Sequence, residues 1–243
     1  MKKTHEAVTG RGSALSKYQQ VVVGSSSVRS LIYYEICQLL VFIPGAFGML
    51  LRKIFWPRMF AECGKGTLFG NGVVIRHPKK IRLGKAVVVS EYCVLDGRHS
   101  SEKHSITLAD NVILSNNVML SCKQGLISIG KNVGINAQTI IQSTNDNKVE
   151  IEEDCVIGQR CFVIGGGNYD ISQKDESIRT CSIADDGGIS IKKNVWLGGN
   201  VTVLGGVTMG EGSVAGAGSV VSKSIPSYTV CLGVPARVVK KRT

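Results

Sequence analysis

Aliphatic residues recur every six positions through the body of this 243-residue chain, and that period restricts its fold more than any other feature. Leu83, Val89 and Leu95 are spaced by six, as are Leu108, Leu114 and Leu120, then Ile129, Ile135 and Ile141. Ile151, Ile157 and Val163 continue the series, followed by Ile191, Leu197 and Val203, and by Met209, Ala215 and Val221. An earlier run, Phe69, Ile75 and Ile81, reads as a seventh, less regular set. Four residues after many of these anchors stands a small residue, among them Val87, Cys93, Val112, Thr139, Cys155, Cys161, Val201, Ser213 and Ser219. Six is not a helical period, and it exceeds the alternation of a plain strand, so each hexad reads as a short strand plus a turn. Three hexads close one triangular coil, and stacked coils place like anchors above one another as an apolar column. The fold class is therefore an all-β solenoid, a parallel β-helix of about six to seven triangular coils.

The glycine content, 29 against only 5 prolines, fits this architecture. Gly84, Gly130, Gly158, Gly198 and Gly210 each follow an anchor, where the expectation is a turn backbone with φ > 0. Proline is scarce because ladder strands need their N–H groups. Aromatic residues at 6% and charged residues at 19%, with abundant Val, Ile and Leu, exclude disorder, collagen and coiled coil.

The net charge of +11 is unevenly divided. Residues 1–85 and 223–243 together hold 19 bases and three acids, whereas residues 86–222 hold 10 bases and 15 acids. A mildly acidic body with few aromatics argues against nucleic acid as a partner. The eight cysteines include no CxxC pair, so neither a zinc site nor any other metal centre is expected, and no disulfide framework either. Cys93, Cys155 and Cys161 fall on the small inward position and read as core. No apolar leader precedes Leu31, so a reducing cytoplasm is the expected compartment.

The spacing between triplets locates the loops. From a third anchor to the next first anchor the steps are 13, 9, 10, 28 and 6 residues, so every excess over six falls at one corner of the prism. Excursions are expected at 97–107 and 164–190, within a β-helix spanning 65–225. Residues 1–64 form a basic and hydrophobic helical segment, and residues 226–243 a basic tail packed on the last coil. Residues 31–51 are long enough to cross a bilayer, but Glu35, Gln38 and the Pro44-Gly45 pair interrupt them. Three readings stand: a helix-break-helix in the membrane interface, a helix packed on the prism, or a true span. Arg52, Lys53, Ile54, Phe55, Trp56, Pro57 and Arg58 follow as a basic, aromatic cluster suited to headgroups, so peripheral membrane contact through 31–60 is expected.

The hexads, the run VWLGGNVTVLGGVTMGEGSVAGAGSVVSKSIPSY and the tail LGVPARVVKK resemble the left-handed β-helix acyltransferases of the hexapeptide-repeat family. Within it the likeness is to maltose and galactoside O-acetyltransferases and to sugar acetyltransferases of surface-polysaccharide or lipopolysaccharide pathways. The resemblance implies a homotrimer, acetyl-CoA as donor, and a sugar or lipid-linked sugar as acceptor, at the inner face of the cytoplasmic membrane. It implies that a general base takes the proton of an acceptor hydroxyl or amine attacking the thioester, with backbone N–H groups stabilising the oxyanion. It also implies that the pantetheine arm lies beside Trp196, Gly199 and Ala217, with Ser222, Lys223 and Lys240 near the nucleotide end.

The departure is in the long loop. The family's catalytic histidine falls on Asn168 or Tyr169, followed by Asp170, and no histidine occurs from 105 to 243. Asparagine cannot titrate, a tyrosine with the usual pKa of about 10 is almost wholly protonated at neutral pH, and an ordinary aspartate is a weak base. His5 lies in the N-terminal tail, His77 reads as structural support, and His99 and His104 flank the shorter loop on the same corner. Two functions follow: an acetyltransferase with an altered or relocated base, or a catalytically silent trimeric module for binding or assembly. A different acyl or formyl donor is a third reading.

Overall fold

A computed structural model describes residues 12–99, 104–172 and 174–242; His5 lies outside them. Seven full coils stack into a three-faced prism, each face a parallel sheet. The first face aligns Cys63, Leu83, Leu108, Ile129, Ile151, Ile191 and Met209 in register. The second aligns Phe69, Val89, Leu114, Ile135, Ile157, Leu197, Ala215 and Cys231. The third aligns Ile75, Leu95, Leu120, Ile141, Val163, Val203 and Val221. Every anchor of the six regular triplets is buried, as are the small residues four places on. The parallel β-helix is therefore the fold, and the hexads are its strands.

Two details differ from expectation. The first coil is anchored by Cys63, Phe69 and Ile75, and Ile81 instead opens the second coil opposite Ile106. A half-buried cysteine as first anchor hid that coil from a search for aliphatic residues. The glycines that follow anchors do not supply the turn conformation either. Positive φ falls two residues later, at Ala86, Asn111, Asn132, Asp154 and Asn194 on one corner and at Tyr92, Asn117, Gln138, Arg160 and Asn200 on the next. Gly130 and Gly158 are needed for contact: a Cβ on either would stand 2.6 Å from backbone of the coil above. At the first of these corners Asn111 Nδ2 donates to Asn132 Oδ1 (3.1 Å), and Asn132 Nδ2 donates to Asp154 Oδ1 (2.9 Å), tying three coils together.

The two ends of the ladder are closed differently. At the late end, residues Thr229–Gly233 add to the second face and Ala236–Lys241 return antiparallel beside them. At the early end sit three helices: α1 (Ala14–Tyr18), α2 (Val28–Gln38) and α3 (Gly45–Phe55). Residues 31–51 thus form two helices with a break at 39–44, and among the described residues no helix is long and apolar enough to cross a membrane. Tyr34, Cys37, Val41, Trp56 and Phe60 bury against the first coil, with Phe60 stacked on Phe69 at 5.4 Å. Each such burial contributes about 1.5–3 kcal/mol.

Arg52 and Trp56 are corrections to the headgroup cluster, because both are only 1% exposed. Arg52 is in the last turn of α3 and Trp56 opens the 3-10 turn Trp56–Met59 that continues it, so the two share the inward face. Arg52 donates from Nη1 to the carbonyls of Leu40 (2.8 Å) and Ile43 (2.9 Å) and from Nε to that of Phe69 (3.0 Å). The guanidinium thereby satisfies carbonyls left open by the interhelical break. Trp56 Nε1 donates to the Cys37 carbonyl at 3.1 Å. His77 adopts φ 52 and its Nε2 lies 3.0 Å from the Gln20 carbonyl, so that nitrogen carries the proton and the ring anchors the π-helical turn Gln19–Val23. This is the support role read from the sequence.

Cys37, Cys63, Cys93, Cys122, Cys155, Cys161 and Cys231 are free thiols. Burial pushes Cys93 and Cys155 up to about 11, so neither is a thiolate at neutral pH.

Candidate functional site

Every long connection leaves the prism at the corner between the third and first faces, as the step lengths require. Backbone bonds stack these turns: Gln124 N–H donates to Arg98 O, Asn145 N–H to Lys123 O, and Asp146 N–H to Gln124 O. The long excursion then folds back as a small hairpin, with Tyr169 bridged to Ile183, Asp170 N–H donating to Ser182 O and Ala184 N–H donating to Asn168 O. Two side chains that the hexad pattern did not single out hold it down. Asn147 donates to the carbonyls of Thr144 (3.0 Å) and Ala184 (3.4 Å) and accepts from Asp186 N–H at 2.8 Å. Asp186 accepts from Gly166 N–H (2.8 Å) and Gly188 N–H (3.0 Å). Their signal was slight: an Asn after a turn, and an Asp-Asp-Gly-Gly run read only as loop.

Beneath the hairpin lies a cleft of about 440 Å³, lined by Lys123, Gln142, Thr144, Asn145, Gly166, Gly167, Tyr169, Cys181, Ser182 and Ile183. Its walls expose more apolar than polar surface, from Cys181, Ile183 and the stems and ring of their neighbours, with amide, hydroxyl and backbone groups, one lysine and one phenol set among them. Such a lining can exchange hydrogen bonds with a polyhydroxylated ligand. Gly166 is positioned by need: at φ 74, a Cβ there would stand 2.2 Å from the Thr144 carbonyl.

Of the loop residues proposed for catalysis, only Tyr169 lines the cleft. Asn168 and Asp170 are exposed on the hairpin. Hydrogen bonds from Ser172 hold the Asp170 carboxyl below its ordinary value, which makes it a still weaker base. The two histidines of the shorter loop flank ends that meet where the Ser105 hydroxyl donates to Gly97 O at 2.8 Å, and His99 Nε2 lies 3.8 Å from Asp146 Oδ1. His99 is buried, follows Arg98, which pairs in register with the cleft residue Lys123, and meets a carboxylate adjacent to the cleft residue Asn145. It does not itself line the cleft, and it lies within ion-pair distance of an exposed acid.

The residues proposed for the acyl donor fall into two groups. Trp196, 55% exposed on the second face of the sixth coil, lies beside the corner where Gly199 and the exposed Ala217 stack on successive coils. Gly218 N–H donates to Gly199 O there, and a Cβ on Gly199 would crowd Gln159 at 3.3 Å. Lys240 is on that same face, in line through Val230 and Val214 with Trp196. Ser222 and Lys223 are exposed at the other corner, after the last strand of the third face, above the turn that meets the long loop. Among the described residues no group of three or more His, Cys, Asp or Glu side chains is placed to hold a metal ion.

Fold and repeat define the class: the chain is a hexapeptide-repeat β-helix. A family model described as the hexapeptide repeat of succinyl-transferase matches residues 188–223. Among curated relatives, the Escherichia coli K12 protein WbbJ, named for a lipopolysaccharide biosynthesis O-acetyl transferase, is 36% identical over 124 residues. That match takes in 49% of this chain and spans 62% of WbbJ. Among solved structures, AntD, an N-acyltransferase of Bacillus cereus, shares the fold. A point variant with dTDP and coenzyme A superposes with a TM-score of 0.53 at 23% identity, over 80% of this chain and 88% of that one. AntD with dTDP and 3-hydroxybutyryl-CoA gives 0.51 at 24%, over 76% and 84%.

Proposed function

We propose that the protein transfers an acetyl group from acetyl-CoA to a hydroxyl or amine of a sugar or lipid-linked sugar in surface polysaccharide or lipopolysaccharide biosynthesis. The observation that carries the reading is the likeness to WbbJ on a prism whose long loop roofs a sugar-sized cleft with amide, hydroxyl and backbone groups in its lining. A bound thioester supplies an activated acyl carbon: the acceptor O–H or N–H attacks it, the new C–O or C–N bond forms, and the C–S bond breaks to release the thiol. The corner at Gly199 and Ala217 suits the donor, since small side chains leave backbone groups open to an amide-rich arm, and Trp196 offers an apolar wall. Lys223 and Lys240 are free to pair with phosphate.

Within the chain, His99 is the imidazole best placed to accept the acceptor's proton and return it to the leaving sulfur. Asp146 would hold the imidazolium once formed. Tyr169 orients the acceptor from the roof. The reading includes a homotrimer, supported by outward apolar columns on two faces only. Ile113, Val156 and Trp196 stand on the second face and Val74, Met119 and Phe162 on the third, whereas the first shows Arg82, Thr107, Ser128 and Glu150. A cytoplasmic site of action agrees with the free thiols of Cys37, Cys63, Cys93, Cys122, Cys155, Cys161 and Cys231.

Thiol release from acetyl-CoA against a panel of sugar acceptors tests the proposal. The wild type is expected to turn over at least one acceptor, His99→Gln to lose about 10²–10⁴-fold in kcat, and Asp146→Asn to move the acidic limb of the pH–rate profile. Tyr169→His is expected to retain or raise the rate. Full activity in His99→Gln would remove that residue from the mechanism. Absence of both turnover and calorimetric coenzyme A binding would leave the silent assembly module, which the missing loop histidine favours.

A further inference from the structure

The N-terminal helices bury one face and still present a second apolar one. On α2 the outward stripe is Val28, Ile32 and Ile36, continued by Leu39, and on α3 it is Phe47, Leu50 and Ile54. The break between them carries the most exposed large side chains of the unit, Leu39 at 78% and Phe42 at 72%. A surface helix normally turns charge outward, so an apolar face opposite the buried one is without purpose in water. The charges around it have one sign. Residues 12–60 contain Lys17, Arg29, Arg52, Lys53 and Arg58 against a single acid, Glu35, whose carboxylate accepts from the Tyr18 hydroxyl at 2.6 Å.

Between the helices and the prism is a second cleft, of about 270 Å³, whose lining includes three cations from separate segments: Arg29 from α2, Arg58 from the turn after α3, and Lys79 from the first inter-coil connection. Ser25, Ser30 and Tyr33 add hydroxyls, and no acid is among its lining residues. Lys79 Nζ is held there by the carbonyls of Arg58 (3.0 Å) and Phe60 (3.2 Å). Guanidinium groups with nearby hydroxyls and an ammonium are the donors that recognise a phosphate monoanion or diester.

We propose that this unit docks on an anionic lipid bilayer, with Leu39, Phe42 and Phe47 in the acyl boundary and a headgroup phosphate in the Arg29, Arg58 and Lys79 cleft. Two helices of 11 residues each, about 16 Å long, cannot cross a hydrocarbon core of about 30 Å, so they lie in its plane. A second copy of this chain is the poorer occupant, since a self-paired patch would set like charges against each other. The proposal stands independently of the transfer reaction.

Co-sedimentation of the full chain with phosphatidylcholine vesicles, with and without about one-third phosphatidylglycerol, tests it. The wild type is expected to pellet with the anionic vesicles and to be released by about 0.5 M salt. Arg29→Gln with Arg58→Gln should weaken binding about 25-fold, about five-fold per base. Leu39→Ser with Phe42→Ser should abolish it while circular dichroism and sedimented mass stay unchanged. Failure of the wild type to bind anionic vesicles, or binding by the serine variant equal to wild type, would overturn the dock. So would a fall in mass of the serine variant, which would show the face to cover a copy of the chain. Release by millimolar inorganic phosphate would assign the cleft to free phosphate and refute lipid docking.

Discussion

Arg52 shows how far the environment of one residue can depart from its type. In sequence it heads a basic cluster; in the fold it is a buried cation bonded to the carbonyls of Leu40, Ile43 and Phe69, within reach of the Glu91 charge. Desolvation lowers its pKa, yet a guanidinium remains charged at neutral pH, so those bonds persist. Arg52→Met fills a similar volume but leaves the Leu40, Ile43 and Phe69 carbonyls unpaired. It should cost about 3–5 kcal/mol. Denaturant unfolding monitored by Trp56 fluorescence checks this, and a loss below about 1 kcal/mol would mean that water replaces the guanidinium. Nothing in residues 52–58 marked which side of α3 faced inward, because both sides are apolar. Cys93, Cys155 and Cys161, by contrast, were legible as core, since the hexad fixes direction wherever it operates.

At the scale of elements, the hexads disclosed the strands and corners, because parallel stacking imposes the same constraint on each coil. Pieces outside the repeat were less legible. The hairpin within 164–190 and its fastening by Asn147 and Asp186 arise from single contacts between distant residues, which leave no period. The approach of His99 to Asp146 was likewise invisible, for it needs the short turn of the intervening coil to let the two meet. The junction between helices and prism makes its own prediction. Burial holds His77 below its usual value of about 6.5, so the folded state binds fewer protons than the unfolded chain. Stability is therefore complete above about 6.5 and is lost as pH falls through that value toward the folded pKa. The protection factors of residues 19–34, corrected for the intrinsic exchange rate, should fall as pH drops below about 6.5, and His77→Gln should remove that dependence. A profile unchanged by the substitution would show that other groups control the junction.

For the whole molecule, the asymmetry of the three faces is the guide. Two carry apolar columns outward and one is polar, so copies should associate through the second and third faces. Sedimentation equilibrium should return about three times the 26.0 kDa chain mass, and Val156→Glu with Phe162→Glu should reduce it to a single chain. Both positions are outward, so the variant should retain its circular dichroism. A monomeric wild type would refute the trimer without touching the fold.

The single corner that carries every excursion has a further consequence for how such a protein can diversify. Connections of 6, 9, 10, 13 and 28 residues between successive third and first anchors coexist without disturbing the register of any face. Lengthening a closed loop costs only about 0.6 kcal/mol per doubling. The corner is thus an insertion site tolerant of almost any length, while the other two corners are fixed by their hexads. Selection can rewrite the roof of the cleft there, and with it what the cleft admits, without renegotiating the core.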